Sequence, residues 1–190
     1  MIYRSILLIS SIIIVSSCKD EIIVPKPKAF LSLKYPKPSY SKIDNEFPFS
    51  FDLNNLVKIE NIVEKKNNFD VKLNYDIINA SLYLNYIKID NNFNELISQN
   101  NFNLNNHAKV AIKASKQDFS DENRKVFGTL YELIGPVASP SQFYVTDSVD
   151  NFLAGTLFFK IKPNYDSLFP AIYYVKNDII RLIETIKWND

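Results

Sequence analysis

Apolar and polar residues alternate singly along most of this chain, and that period of two limits the fold more than any motif in it. Phe69, Val71, Leu73 and Tyr75 alternate with Asp70, Lys72 and Asn74. Leu31, Leu33 and Tyr35 do the same with Ser32 and Lys34, and Phe47, Phe49 and Phe51 with Pro48 and Ser50. Leu82, Leu84 and Tyr86 form one face within 80–89. Phe127, Thr129, Tyr131 and Leu133 share another, as do Phe143 with Val145, and Leu157 with Phe159 and Ile161. Successive side chains of a strand point to opposite faces, so each stretch predicts a half-buried strand. Short polar turns join several of them and favour antiparallel hairpins.

Two segments carry helical spacing instead. From about Asn92 to Ala114, Phe93, Leu96, Ile97, Leu104, Ala108, Ala111 and Ile112 fall roughly on one side. The asparagine-rich middle is a poor helix former, which predicts a break near 100–106. The second helix is marked by Ile172, Val175, Ile179, Leu182, Ile183 and Ile186 at intervals of three and four. Asp166 or Ser167 caps its start, and Pro170 belongs in its first turn. Asp178 with Arg181, and Glu184 with Lys187, are placed to pair at i,i+3 on its wet side. The expected fold is α+β, an antiparallel sheet packed by two helices.

The chain opens differently. Arg4 precedes an apolar run from Ile6 to Val15, and Val15-Ser16-Ser17-Cys18 closes it. A charged n-region, a short apolar h-region and small residues at a cut describe a secretory signal. The run is well short of the roughly 20 residues a membrane span needs. Cys18 is the one cysteine in the chain, and it stands where a bacterial lipoprotein receives its diacylglycerol. Residues 1–17 are therefore expected to be a signal peptide, 18–28 a lipidated tether stiffened by Pro25 and Pro27, and 29–190 one domain. Lys19 follows the anchor where an aspartate would retain a lipoprotein in the inner membrane. The expected location is the outer membrane, on its periplasmic face.

Removing the signal takes Arg4 with it and leaves 21 basic against 21 acidic residues. A neutral, mixed surface argues against nucleic acid, which needs a concentrated basic face. With Cys18 lipidated no thiol remains for a disulfide or a thiolate metal site. Three glycines, at 128, 135 and 155, cannot make a phosphate-binding loop. His107 is the single histidine and is expected to be solvated or capping, which argues against zinc. Ser139, Ser141, Thr146 and Ser148 gather near Asp147, but no nucleophile elbow accompanies them, and turn hydrogen bonding explains them better. No enzymatic activity, cofactor or metal is expected. Aromatic residues, 14% of the chain, are expected mostly in the core.

Seven segments carry a resemblance that spans the chain: KPKAFLSLKYP at 26–36, FPFSFD at 47–52, ASLYLNY at 80–86, KVFGTLYEL at 125–133, ASPSQFYVTDS at 138–148, KPNYDSLFP at 162–170 and DIIRLIETIKW at 178–188. In content, order and spacing they resemble the gliding-motility lipoprotein GldD family of Bacteroidota. The resemblance implies a role in gliding and in the type IX secretion machinery, through assembly or stabilisation of partner lipoproteins such as GldJ. It also implies cysteines just before residue 47 and near 68. Glu46 and Asn68 stand there, so any disulfide of the family's is absent. The element order is similar to the PsbP/Mog1-like sandwich, a likeness of fold alone. A different class, a lipoprotein capturing a ligand or glycan on aromatic residues, is the alternative. Within the segment 138–148, Gln142, Tyr144 and Thr146 lie opposite Phe143 and Val145. These three are the expected partner-docking residues, with Tyr144 as the aromatic anchor.

Overall fold

The computed structural model describes residues 33–44, 47–65, 68–160 and 165–189. The signal peptide, Cys18 and the tether expected from the sequence lie outside the described residues, as do Leu31, Ser32 and Ile161. The described elements run β1 (Tyr40–Ile43), β2 (Phe49–Asn54), β3 (Lys58–Lys65), β4 (Asn68–Tyr75), a 3-10 turn (Asp76–Ile78), β5 (Ala80–Lys88), α1 (Phe93–Ala108), β6 (Lys113–Asp121), β7 (Val126–Ile134), β8 (Ser141–Thr146), β9 (Asn151–Phe159), α2 (Tyr165–Thr185) and β10 (Lys187–Trp188). Seven strands form one antiparallel sheet in the order β3-β4-β5-β9-β8-β7-β6. Two meanders meet at its middle, where β5 pairs with β9 from Ala80↔Phe159 to Lys88↔Asn151. A smaller sheet, β1-β2-β10, brings the first and last described strands onto β2.

Alternation separates the two faces of the large sheet. Val71 and Leu73 of β4, Leu82 and Leu84 of β5, Leu153 and Leu157 of β9, and Phe143 and Val145 of β8 face one way. Against them pack β2, through Phe49, Phe51 and Leu53, and α2, through Val175, Ile179, Leu182 and Ile183. Each large side chain so buried contributes about 1.5–3 kcal/mol over its exposed state. The opposite face carries α1, where Leu96 packs with Ile89 and Phe152, flanked by Phe93, Ile97, Tyr144 and Ala154. The result is an α+β architecture with a helix on each face of an antiparallel sheet.

Several expectations need correction. Residues 33–39 belong to no strand. Helix α1 runs unbroken through its asparagines and stops at Ala108, and residues 113 and 114 already belong to β6. Contacts near both of its ends override weak propensity, with Leu96 packed at the start and His107 held at the finish. Helix α2 begins at Tyr165, so Pro170 falls inside it rather than in its first turn, and one helical hydrogen bond is forgone. On β7, Phe127, Thr129, Tyr131 and Leu133 do share a face as expected; it is the α1 side, while Val126 and Leu130 lie in the main core.

One side chain lies where a neighbouring strand's Cβ would be. A Cβ on Gly155 would lie 2.1 Å from Cε1 of Phe143, whose ring fills the space beside β9. Gly155→Ala is expected to destabilise the protein by about 1–3 kcal/mol through overpacking. In a Phe143→Leu background the same change should cost measurably less. Strictly additive costs in urea unfolding of the two single variants and the double variant would show that the ring is not what the glycine accommodates.

Candidate functional site

The segment leading into β1 is fastened to the body by one buried carboxylate. Asp178 sits on the core stripe of α2, between Val175 and Leu182, and is only 6% exposed. Tyr40 donates its hydroxyl to Oδ1 at 2.7 Å, and Asn54 Nδ2 donates to Oδ2 at 2.9 Å. The Tyr75 hydroxyl is a third partner. Asn54 also donates to the Tyr174 hydroxyl at 3.1 Å, and the Tyr174 ring meets that of Tyr35 at 5.2 Å. Burial pushes the Asp178 carboxyl above its ordinary range and outweighs the bonds from Tyr40, Asn54 and Tyr75, which pull it down. Burial likewise raises Tyr75 well above its ordinary value. This arrangement corrects the expected Asp178–Arg181 pair. Asp178 faces inward, and Arg181 bonds Asp52 at 2.6 Å and lies over the Tyr40 ring.

The three expected docking residues do share a strand face, but the structure leaves little of it open. Gln142 is buried beneath α1, where its Nε2 donates to Nδ1 of His107 at 2.7 Å. The His107 ring also stands edge-on to Phe158. Thr146 is buried in the β8–β9 turn, donating to the Asn151 carbonyl at 2.6 Å and accepting from Ser148 N at 2.8 Å. Tyr144 is half-buried and stacks on Phe152 at 5.7 Å. The polar face expected to meet a partner is thus satisfied largely within the chain. His107 is a contact of the sheet rather than a solvated residue, and it faces an amide, not a serine hydroxyl. Asp147 accepts N–H bonds from Val149, Asp150 and Asn151 at 2.8–2.9 Å, the turn role expected for that cluster. Ser141 Oγ is buried with no hydrogen-bond partner among the described residues.

Among the described residues, two open regions lie at opposite ends of β4. Beyond Phe69, an open cleft of about 980 Å³ is lined by Phe69, Tyr86, Lys88, Arg124, Asp147 and Trp188, among others. Its walls are braced. Trp188 Nε1 donates to the Lys125 carbonyl at 3.1 Å, Arg124 pairs with Asp121 at 2.8 Å and donates to the Ile186 carbonyl, and the Tyr86 hydroxyl donates to Asn151 Oδ1 at 2.7 Å. Beyond Tyr75, shallow apolar hollows lie between residues 33–38 and α2. Sequence reasoning missed both, because each is assembled from residues far apart in the chain. Among the described residues no group of three or more His, Cys, Asp or Glu gathers as metal ligands, and no helix is long and apolar enough to cross a membrane.

The family model for gliding motility lipoprotein GldD matches residues 20–188. The chain belongs to that family. A search among curated proteins finds no match. As a GldD lipoprotein the chain has a role in gliding motility, and a lipid-anchored envelope protein fits both the family and the helices described.

The buried carboxylate gives this GldD protein a pH signature. A carboxyl raised in the folded state contributes stability below its unfolded value of 3.8 and loses it as pH rises through the folded value. Asp178→Asn does not titrate. Urea unfolding should therefore show wild type losing stability relative to Asp178→Asn as pH rises from below 3.8 to neutrality. A difference that does not change with pH would mean that the carboxyl ionises as readily in the native protein as in the unfolded chain.

Proposed function

We propose that this protein is an outer-membrane lipoprotein, anchored through Cys18 on the periplasmic face, that supports gliding motility and type IX protein secretion by stabilising or assembling partner lipoproteins such as GldJ. The observation that carries this reading is the family match over residues 20–188. The architecture agrees with it. A sheet covered on both faces, with a helix on each, is in keeping with the PsbP/Mog1-like sandwich, a scaffold suited to binding. His107, Thr146 and Asp147, which sequence reasoning considered for chemistry, are engaged in holding turns and α1 in place.

Deletion of the gene should abolish spreading on agar, reduce secretion to the medium and lower the steady-state level of the partner lipoprotein. Wild type should restore all three, while Cys18→Ser should restore none and should keep its signal. Normal partner levels and secretion in the deletion strain would sink the assembly role. A Cys18→Ser protein that still fractionates with the outer membrane would sink the anchor.

A second reading, capture of a glycan or small ligand, is favoured by the cleft, where Phe69, Tyr86 and Trp188 offer aromatic surface beside charged side chains. Trp188 is the one tryptophan of the chain, so its emission reports on the cleft directly. On this reading, envelope glycan fragments should shift that emission saturably. Emission that stays constant across a titration with such fragments would remove the reading.

A further inference from the structure

Ten large apolar side chains stand exposed among the described residues, and four of them, Leu33, Leu56, Ile77 and Tyr173, line two adjoining hollows that share Tyr35, Pro36 and Tyr174. Isolated exposed apolar residues are ordinary, but a contiguous group marks an interaction surface. Tyr173 is 58% exposed and Ile77 56%, so each presents a side chain outward rather than a stray edge. A cation borders the patch: Lys37, between Pro36 and Pro38, is exposed and lines one of the hollows. Asp76, the acidic neighbour of Ile77, is paired with Lys58 at 2.6 Å.

The described chain begins at Leu33, which itself lines this patch. Fourteen residues, 19–32, separate it from Cys18. Covalent geometry limits their span to at most about 50 Å. If Cys18 carries the lipid, the bilayer lies within that distance of the patch, and no other described surface is closer along the chain. The geometry points to this patch as a membrane-apposed face whose occupant is an anionic phospholipid surface. Tyr173, Leu33 and Ile77 meet the boundary between headgroups and acyl chains, and Lys37 meets the lipid phosphates. So few side chains would hold an untethered domain weakly. A short tether makes the contact intramolecular, so a weak contact is well populated. The inference rests on the reading of Cys18 as the anchor.

The lipidated protein has no other thiol, so single cysteines can be introduced and labelled. Tyr173→Cys reports on the patch. Val149→Cys, 67% exposed in the β8–β9 turn at the cleft end, is the control. Each variant carries an environment-sensitive fluorophore and is reconstituted into vesicles of phosphatidylethanolamine and acyl-brominated phosphatidylglycerol. Quenching at 173 should exceed that at 149 several-fold, and adding Leu33→Glu with Ile77→Glu should remove the excess. Equal quenching at the two positions, or an excess that survives the two glutamates, overturns the proposal. A discrete protein crosslink from 173 in cell membranes, without quenching in vesicles, overturns it in favour of a protein partner. Intact mass separates the premise from the inference: a mass without lipid overturns the anchor reading, and a lipidated protein with equal quenching overturns the patch alone.

Discussion

The apolar stripe of α2 must lie against the buried face of the large sheet, and most of the molecule is arranged around that contact. Val175, Ile179 and Ile183 are almost completely buried there, and β2 closes the side of the helix with Phe49 and Phe51. The stripe is not wholly apolar, because Asp178 occupies one of its positions. A carboxyl at that depth needs hydrogen-bond partners, and they come from three other elements, through Tyr40, Asn54 and Tyr75. Docking the helix therefore fixes the end of β2, the end of β4 and the start of β1 together.

That coupling decides how the start of the described chain is held. Strand β2 pairs with β1 on one side and β10 on the other, so the first and last described strands share one partner. A pull on the chain ahead of residue 33 reaches Tyr40 before it reaches the large sheet. At Tyr40 it meets the bond to Asp178 and the Arg181 guanidinium over the ring. The residues that fasten the start of the described chain thus include a polar cluster in the core as well as the backbone bonds of a four-residue strand.

The strands with one fully buried face were legible because alternation records one-sided burial. Strands β4, β5, β8 and β9 follow it, and α2 shows its stripe plainly. Strand β6 was not legible, since it is exposed along nearly its whole length and carries no period of burial. In β3 a bulge between Glu60 and Val63 breaks the register, and the alternation with it. Periodicity also cannot say which face meets which layer when both are covered, which is why the pattern left Gln142 and Thr146 either facing outward or beneath a covering element. Asp178 could have been found from spacing, because it falls three residues after Val175 and four before Leu182. Its charge suggested solvent, but its position dictated the core.

The two open regions differ in chemistry and lie at opposite ends of β4, roughly 20 Å apart along a strand of that length. The apolar hollows adjoin the residues that lead toward Cys18, and the cleft with Trp188 lies at the far end. A domain held by its apolar end would turn the cleft away from the bilayer. The cleft walls come from the β6–β7 turn, the β8–β9 turn and the chain's last strand, each fixed by its own hydrogen bonds. A surface built this way is already shaped before a partner arrives, so binding there would cost little ordering. The two regions thus occupy separate ends of one sheet, with α2 and its buried carboxylate holding the end that bears the apolar hollows in register with the rest.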